Sequence, residues 1–325
     1  MRKSPLPPIL DLPPKTLALI GAPLERGAGR RGCAMGPAML RTAGLAESLS
    51  ALGRSVEDRG DVAPGASRGG APAVGRANHW GDVAAFIAPL SGAVTAALED
   101  GRTPIIMGGD HALSMGSVNG VAAHCCKVGR ALFVLWLDAH ADFNTPETSP
   151  SGNMHGMSVA MLCGEPGFDG LLPQAERVGV TPGNVHLFGQ RSVDSGERAL
   201  LAGRGIQVDD MRRIDEFGVV APLKEIIARV DAAHGHLHVS LDVDFLDPSL
   251  APGVGTAVPG GATYREAHLI MEMLHDCGRV GSLDLVELNP FLDDRGASAK
   301  MLVDLTCSLF GARIVDPRGN GRQSA

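Results

Sequence analysis

The 325-residue chain predicts a single-domain α/β fold, doubly wound in three α/β/α layers around a mainly parallel sheet. Two observations carry that expectation. Short apolar runs alternate with longer helical patterns over nearly the whole length, and no shift in composition marks a boundary between domains. Most of the runs are continuously apolar rather than alternating, as suits parallel strands covered on both faces.

In chain order, the first strand is expected at 16–20 and a helix at 37–52. That helix opens on Gly36-Pro37, where proline suits a first turn. The Gly/Ala/Pro-rich stretch 63–75 reads as a long surface loop, followed by a helix at 82–99. Strands are then expected at 104–107, 131–137 and 184–188, a helix at 222–233 and a strand at 236–241. Thr263 with Glu266 forms a capping box that opens a helix at 264–277. A strand at 280–285 and a helix at 298–310 complete the pattern. Residues 1–15 read as an N-terminal extension and 312–325 as a tail that is flexible or lies at a subunit interface.

Hydrophobic residues make up 44% of the chain and charged residues 20%, a soluble globular profile. The formal charge of −7 offers no basic field for nucleic acid or anionic lipid, and mildly favours a cationic small molecule. The apolar stretches fall short of the roughly 20 residues of a membrane span. The N-terminus is rich in proline and has no apolar core, so it is not a signal peptide. Six cysteines without C-x-x-C spacing point to reduced thiols and a cytoplasmic location.

Three segments set carboxylates and imidazoles directly downstream of an expected strand: Asp110-His111, Asp138-Ala139-His140-Ala141-Asp142 and Asp242-Val243-Asp244. In open α/β sheets ligands bind beyond the carboxyl ends of the strands, so the three can converge on one crevice. On extended backbone, residues i, i+2 and i+4 share a face, which aims Asp138, His140 and Asp142 together, and likewise Asp242 and Asp244. Taken singly, each Asp reads as a loop cap and each His as a satisfied core residue; their coincidence at matched strand ends carries the functional reading. So many carboxylates in one pocket repel unless cations neutralise them. A carboxylate-rich set with little imidazole and no thiolate suits Mn²⁺ or a similar divalent ion. Six such ligands fit two ions about 3.5–4 Å apart, with bridging aspartates and a shared water that loses a proton near neutral pH.

Three other patterns are read as structural. Gly27-Ala28-Gly29-Arg30-Arg31-Gly32 matches a dinucleotide fingerprint, but residues intervene between strand and motif and the helix begins later, so a loop is expected. His238 lies roughly 13 Å upstream of Asp242 along a strand, hence a core residue or one that supports the ligands; His234 and His236 are expected in a loop. Cys125 and Cys126 read as inert thiols.

The blocks GGDHALSMGS (108–117), DAHADFNTPETSPSGNMHG (138–156), SLDVDFLDPSLAPGVGTAVPGG (240–261) and SLDLVELNP (282–290) resemble the arginases of the ureohydrolase superfamily. GAPLERGAGRRG (21–32), GPAMLR (36–41) and RSVDSGE (191–197) support the likeness, which spans nearly the whole chain. It implies an arginase/deacetylase-like sheet of about eight strands and hydrolysis of L-arginine to L-ornithine and urea, by a hydroxide bridging two Mn²⁺ ions per subunit; Co²⁺ or Fe²⁺ accept similar ligands. It implies His111, Asp138, Asp142 and Asp242 on one metal and Asp138, His140, Asp242 and Asp244 on the other. His155 then transfers a proton and Glu287 receives the guanidinium. Asn144, Ser151 and Asn153 meet the α-carboxylate, Asp194 and Glu197 the α-amino group, and Thr256 lines the pocket. A homotrimer or homohexamer is implied too, with Arg265, Glu266 and Arg313 at the contacts.

The chemistry is consistent with those roles. A guanidinium is a poor electrophile, so its attacker must be hydroxide; a buried carboxylate can hold its planar fork, and the leaving amine needs a proton. Ser158 and Ala257 stand where prolines are common in the family, which puts loop rigidity in question, and Ser192 replaces a frequent acidic residue at the outer pocket. The alternatives are an agmatinase or other guanidino-acid hydrolase on the same metals, and a catalytically silent arginine-binding or assembly protein.

Overall fold

The computed structural model describes residues 15–66 and 70–313. The elements run β1 (Leu17–Ala22), α1 (Gly36–Thr42), α2 (Leu45–Ala51), β2 (Val56–Asp61), α3 (Trp80–Glu99), β3 (Thr103–Gly108), α4 (Ser114–Lys127), β4 (Leu132–Leu137) and α5 (Ser158–Leu162). They continue with β5 (Val185–Phe188), α6 (Ser195–Leu201), β6 (Gln207–Asp209), α7 (Met211–Phe217), α8 (Val220–Ala232), β7 (His236–Asp242), α9 (Tyr264–Cys277), β8 (Val280–Val286) and α10 (Ala297–Leu309). Of the extension expected at 1–15 and the tail expected at 312–325, residues 1–14 and 314–325 lie outside the described residues.

Among the described residues, eight strands form one sheet in the order β2-β1-β3-β8-β7-β4-β5-β6, and every pairing is parallel. The period of two along each strand divides the interior. Ala18, Ile20, Ile106, Val134 and Trp136 pack with α3, α4 and α5 on one face. Leu17, Leu19, Ile105, Leu135 and Leu137 pack with α1, α2, α8, α9 and α10 on the other. Continuous apolar runs are what a strand buried on both sides requires, and β1, β3 and β4 are buried at every position.

Six strands lie where the sequence placed them, and two were missed. Both are at the sheet edges: β2 reads VEDRGD, with three exposed residues, and β6 reads QVD, with two. An edge strand covers one neighbour and is kept polar, so it carries no apolar run to detect. The helix expected at 37–52 is two helices, broken at Gly44 in a left-handed conformation (φ 83°). Helix α4 was also missed because its glycines argue against helix. Their reason is a close crossing: a Cβ on Gly116 or Gly120 would stand 2.5 Å from the carbonyl oxygen of Ile87 or Ser91 in α3. The capping box Thr263–Glu266 opens α9 as expected.

Two expectations are corrected. His236 is not a loop residue: it lies in β7, buried, with its Nε2 3.0 Å from Ser282 Oγ. Helix α3 reaches 20 residues with a mean hydropathy of 1.5, long and apolar enough to cross a membrane, against the expectation that no stretch approaches that length. Half of its most apolar 18-residue stretch is buried inside the protein, so its apolar face serves the core.

Candidate metal centre

Strands β3, β8, β7 and β4 are neighbours, and their carboxyl ends open into one crevice. Past β3, Asp110 caps a short 3₁₀ turn, His111–Leu113, by accepting from Ala112 N at 3.0 Å. Its other oxygen takes Gly27 N at 2.7 Å and Ala28 N at 3.0 Å, so the segment that matched a dinucleotide motif is a loop tied down beside the crevice. Past β7, Asp242 caps the 3₁₀ turn Val243–Phe245, which carries Asp244; Asp244 N donates to Asp242 Oδ1 at 2.8 Å. The acidic residues past β4 do not continue a strand. Asp142 adopts a left-handed conformation (φ 49°), so its aim comes from a turned loop and not from the two-residue parity that the sequence reading used.

The expected ligands meet. His111 Nδ1 lies 3.0 Å from Asp138 Oδ2, 3.2 Å from Asp142 Oδ2 and 3.1 Å from Asp242 Oδ2. That nitrogen is buried and has no hydrogen-bond partner among the described residues, as a nitrogen aimed at a cation would be. His140 Nδ1 lies 3.0 Å from Asp244 Oδ2 and 3.4 Å from Asp138 Oδ1. Two groups of metal-ligating geometry result, His111–Asp138–Asp142 and Asp138–His140–Asp244, with Asp138 common to both. Asp242 belongs by distance to the first; its second oxygen is the acceptor that caps Asp244.

Without a cation this assembly is electrostatically strained. Burial, and then the charge of Asp138, pushes Asp142 well above the usual carboxylate range; burial and Asp244 do the same to Asp242. Burial and Asp138 raise Asp244. Burial opposes ionisation of Asp138 as well, but the two imidazoles hold it low. Oxygen-rich donors that resist ionisation until a positive charge arrives are the chemistry of a site for hard divalent ions.

The remaining candidates line two adjoining cavities. His140, Asp142, Asn144, Ser151, Asn153, His155, Asp194, Glu197, Asp242 and Thr256 surround one of about 120 Å³. Glu287 lines the other, about 300 Å³, which shares Asn153, His155 and Thr256 with the first. Glu287 follows β8 in a left-handed conformation (φ 63°) and is 1% exposed. Its Oε1 accepts from His111 N at 2.9 Å and lies 2.9 Å from His155 Nδ1. Burial alone would disfavour charge on either partner, yet each stabilises the other, so His155 is raised and Glu287 lowered. Asn144 donates to Asp194 Oδ2 at 3.0 Å, and Thr256 to Asp244 Oδ2 at 3.0 Å. Glu197 spends its oxygens on Phe143 N and Asp194 N, both at 2.9 Å, closing a capping box on α6.

Several residues that shape this site were missed from sequence. Trp136 stacks on His111 (centroids 4.0 Å apart, planes within 4°) and donates to Asp138 Oδ2 at 3.0 Å. Ser240 Oγ lies 2.8 Å from His111 Nε2 and fixes the ring from behind. Each sits two residues before a ligand on its strand, so parity was the signal available. No such signal marked Arg191, which donates to the carbonyls of Asp244 and Val258. Nor did one mark Asn78, which donates to Ser151 O at 3.1 Å and Asn153 Oδ1 at 3.2 Å. Ser158, noted as a departure, donates to His111 O at 2.9 Å and His155 O at 3.2 Å. Its hydroxyl thus fastens the loop that a proline would have stiffened.

The profile of the arginase family matches residues 15–311. An arginase of Agrobacterium fabrum is 51% identical over 306 residues, covering 93% of this chain and 93% of that protein. The native structure of the arginase of Bacillus caldovelox superposes with a TM-score of 0.83 at 40% identity, covering 93% of this chain and 100% of that one. A structure of Entamoeba histolytica arginase in complex with L-ornithine superposes with a TM-score of 0.81 at 26% identity, with the same coverage.

Proposed function

The chain belongs to the arginase family, and on that premise we propose that it hydrolyses L-arginine to L-ornithine and urea. The observation that carries the proposal is one crevice holding two carboxylate–imidazole groups joined at Asp138, with the Glu287–His155 pair beside them. We take residues 1–325 as a single ureohydrolase domain, with 1–15 an extension and 312–325 a tail, working in the cytoplasm as a homotrimer or homohexamer with Arg265, Glu266 and Arg313 at the contacts.

His111, Asp138, Asp142 and Asp242 would hold one divalent ion, and Asp138, His140, Asp242 and Asp244 the other. Mn²⁺ is the proposed metal, with Co²⁺ or Fe²⁺ as substitutes. Such a pair, when bound, supplies acidification of water and polarisation of the substrate. The protein's own groups do the rest. Glu287, ionised and desolvated, accepts the guanidinium fork and holds its carbon at the crevice. His155 keeps its proton beside Glu287 and gives it to the δ-nitrogen as the carbon–nitrogen bond breaks, so that ornithine leaves as an amine and urea remains. Asn144, Ser151 and Asn153 receive the α-carboxylate, Asp194 and Glu197 the α-amino group, and Thr256 closes the wall between them.

The rival substrate is agmatine, which lacks the carboxylate that Asn144, Ser151 and Asn153 would bind. Polar groups built for a missing partner stay unpaired, which discriminates by orders of magnitude. In side-by-side assays of urea release, arginine should exceed agmatine in kcat/KM by at least about 10²-fold. A preference for agmatine would overturn the arginine assignment while leaving the metal centre intact.

A further inference from the structure

Cys33 has no part in the reading so far, and the structure gives it one. We propose that Cys33 is a positioning residue for guanidinium recognition, its thiol donating to Glu287 Oε2 and fixing the carboxylate that receives the substrate. The inference rests on the proposed function only in taking Glu287 as the guanidinium's partner.

The two oxygens of Glu287 are held unequally. Oε1 has both the His111 amide and the His155 ring at 2.9 Å. Oε2 has Cys33 Sγ at 3.6 Å as its recorded partner among the described residues. The terminal torsion of a glutamate has a broad, soft minimum, so a carboxylate held at one oxygen can swing about that oxygen. A donor on the other oxygen fixes its plane. A thiol also donates more weakly than a hydroxyl, so it steadies Oε2 while leaving most of its charge for a cation.

The thiol is itself rigidly placed. Cys33 is 1% exposed and opens the short 3₁₀ turn Cys33–Met35. Before it, Gly32 N donates to Glu25 Oε2 at 3.0 Å, and Asn289 Nδ2 donates to Arg31 O at 2.9 Å. After it, Gly36 passes so close to the end of β3 that a Cβ there would strike Gly108 O. The turn is thus wedged between β3 and the segment that carries Glu287. A second observation separates this from core filling: Cys33 and Glu287 line the same cavity of about 300 Å³, together with His155 and Thr256. Burial, reinforced by the charge of Glu287, pushes the thiol pKa far up and keeps the proton on sulphur.

Two kinds of measurement test the assignment. In arginine kinetics, Cys33→Ala should raise KM about fivefold with a smaller fall in kcat, whereas Cys33→Ser, which keeps a donor, should stay within about twofold of the parent. An unchanged KM in Cys33→Ala, or a serine variant no better than alanine, overturns the proposal. The S–H stretching band serves even if the protein turns over no arginine or Cys33→Ser fails to fold, and if Cys33→Ala fails to fold the folded Cys33→Ser variant takes its place in the difference. The infrared difference between parent and Cys33→Ala should show a hydrogen-bonded S–H, and that band should move in Glu287→Gln. A band at the position of a free thiol, or one indifferent to Glu287→Gln, also overturns it. Loss of arginine turnover with the band as expected would instead count against the proposed function alone.

Discussion

Replacing Asp138 by alanine is expected to lower kcat/KM for arginine by at least about 10³-fold, beyond the 10- to 100-fold typical of residues that only support a ligand. Asp138 stands in both three-residue groups: Oδ2 stands 3.0 Å from His111 Nδ1, and Oδ1 stands 3.4 Å from His140 Nδ1. The same side chain accepts from Trp136 Nε1 and from His140 N, so its loss also frees two donors that aim the neighbouring ligands. Bound metal should fall to one ion per chain or fewer, as measured by elemental analysis after dialysis. Two tightly held ions in the variant would show that Asp138 does not bridge.

Glu287→Gln should lower kcat/KM by roughly 30- to 5,000-fold, the loss of about 2–5 kcal/mol that follows truncation of a buried charged partner. Glutamine preserves the shape of a side chain that is 1% exposed and whose backbone sits at φ 63°, so fold and metal content should be retained. The pH profile adds a signed consequence. Burial opposes charge on His155, but the charge and hydrogen bond of Glu287, joined by the charge of Asp110, together raise it. In the amide variant that charge is gone, the folded pKa falls, and the proton is lost at lower pH. If His155 is the acid, the alkaline limb of kcat shifts towards lower pH. A limb that stays in place assigns the proton to another group.

Strands β1, β3 and β4 were legible because each is buried at every position and written almost wholly in apolar residues, while β7 and β8 kept enough of that pattern around His238, Ser240, Ser282 and Asp284 to be found. Strands β2 and β6 were not, because an edge strand with one neighbour carries Glu57, Asp58 and Arg59, or Gln207 and Asp209, as readily as valine. Helix α4 was hidden for a related reason: Gly116 and Gly120 serve the contact with α3, and local propensity gives way to tertiary packing.

At the site, residue type and position at strand ends were enough to bring His111, Asp138, His140, Asp142, Asp242 and Asp244 together. Strand parity does not aim Asp142, because the backbone there is left-handed and not extended. What the sequence could not express is support acting across the fold. Ser158 reaches His111 O, Asn78 reaches Ser151 O, and Cys33 reaches Glu287 over a separation of 254 residues. None of these pairs shares a motif, and each is created only when the loops close over the carboxyl ends of the sheet.

The most direct measurement is urea release from L-arginine while metal-free protein is titrated with Mn²⁺. A two-metal amidinohydrolase should produce urea and ornithine in equal amounts, with the rate rising to saturation at two equivalents of metal per chain. Protein that binds the metal yet releases no urea from arginine, agmatine or any guanidino acid would contradict the account and leave a chain that binds without catalysing.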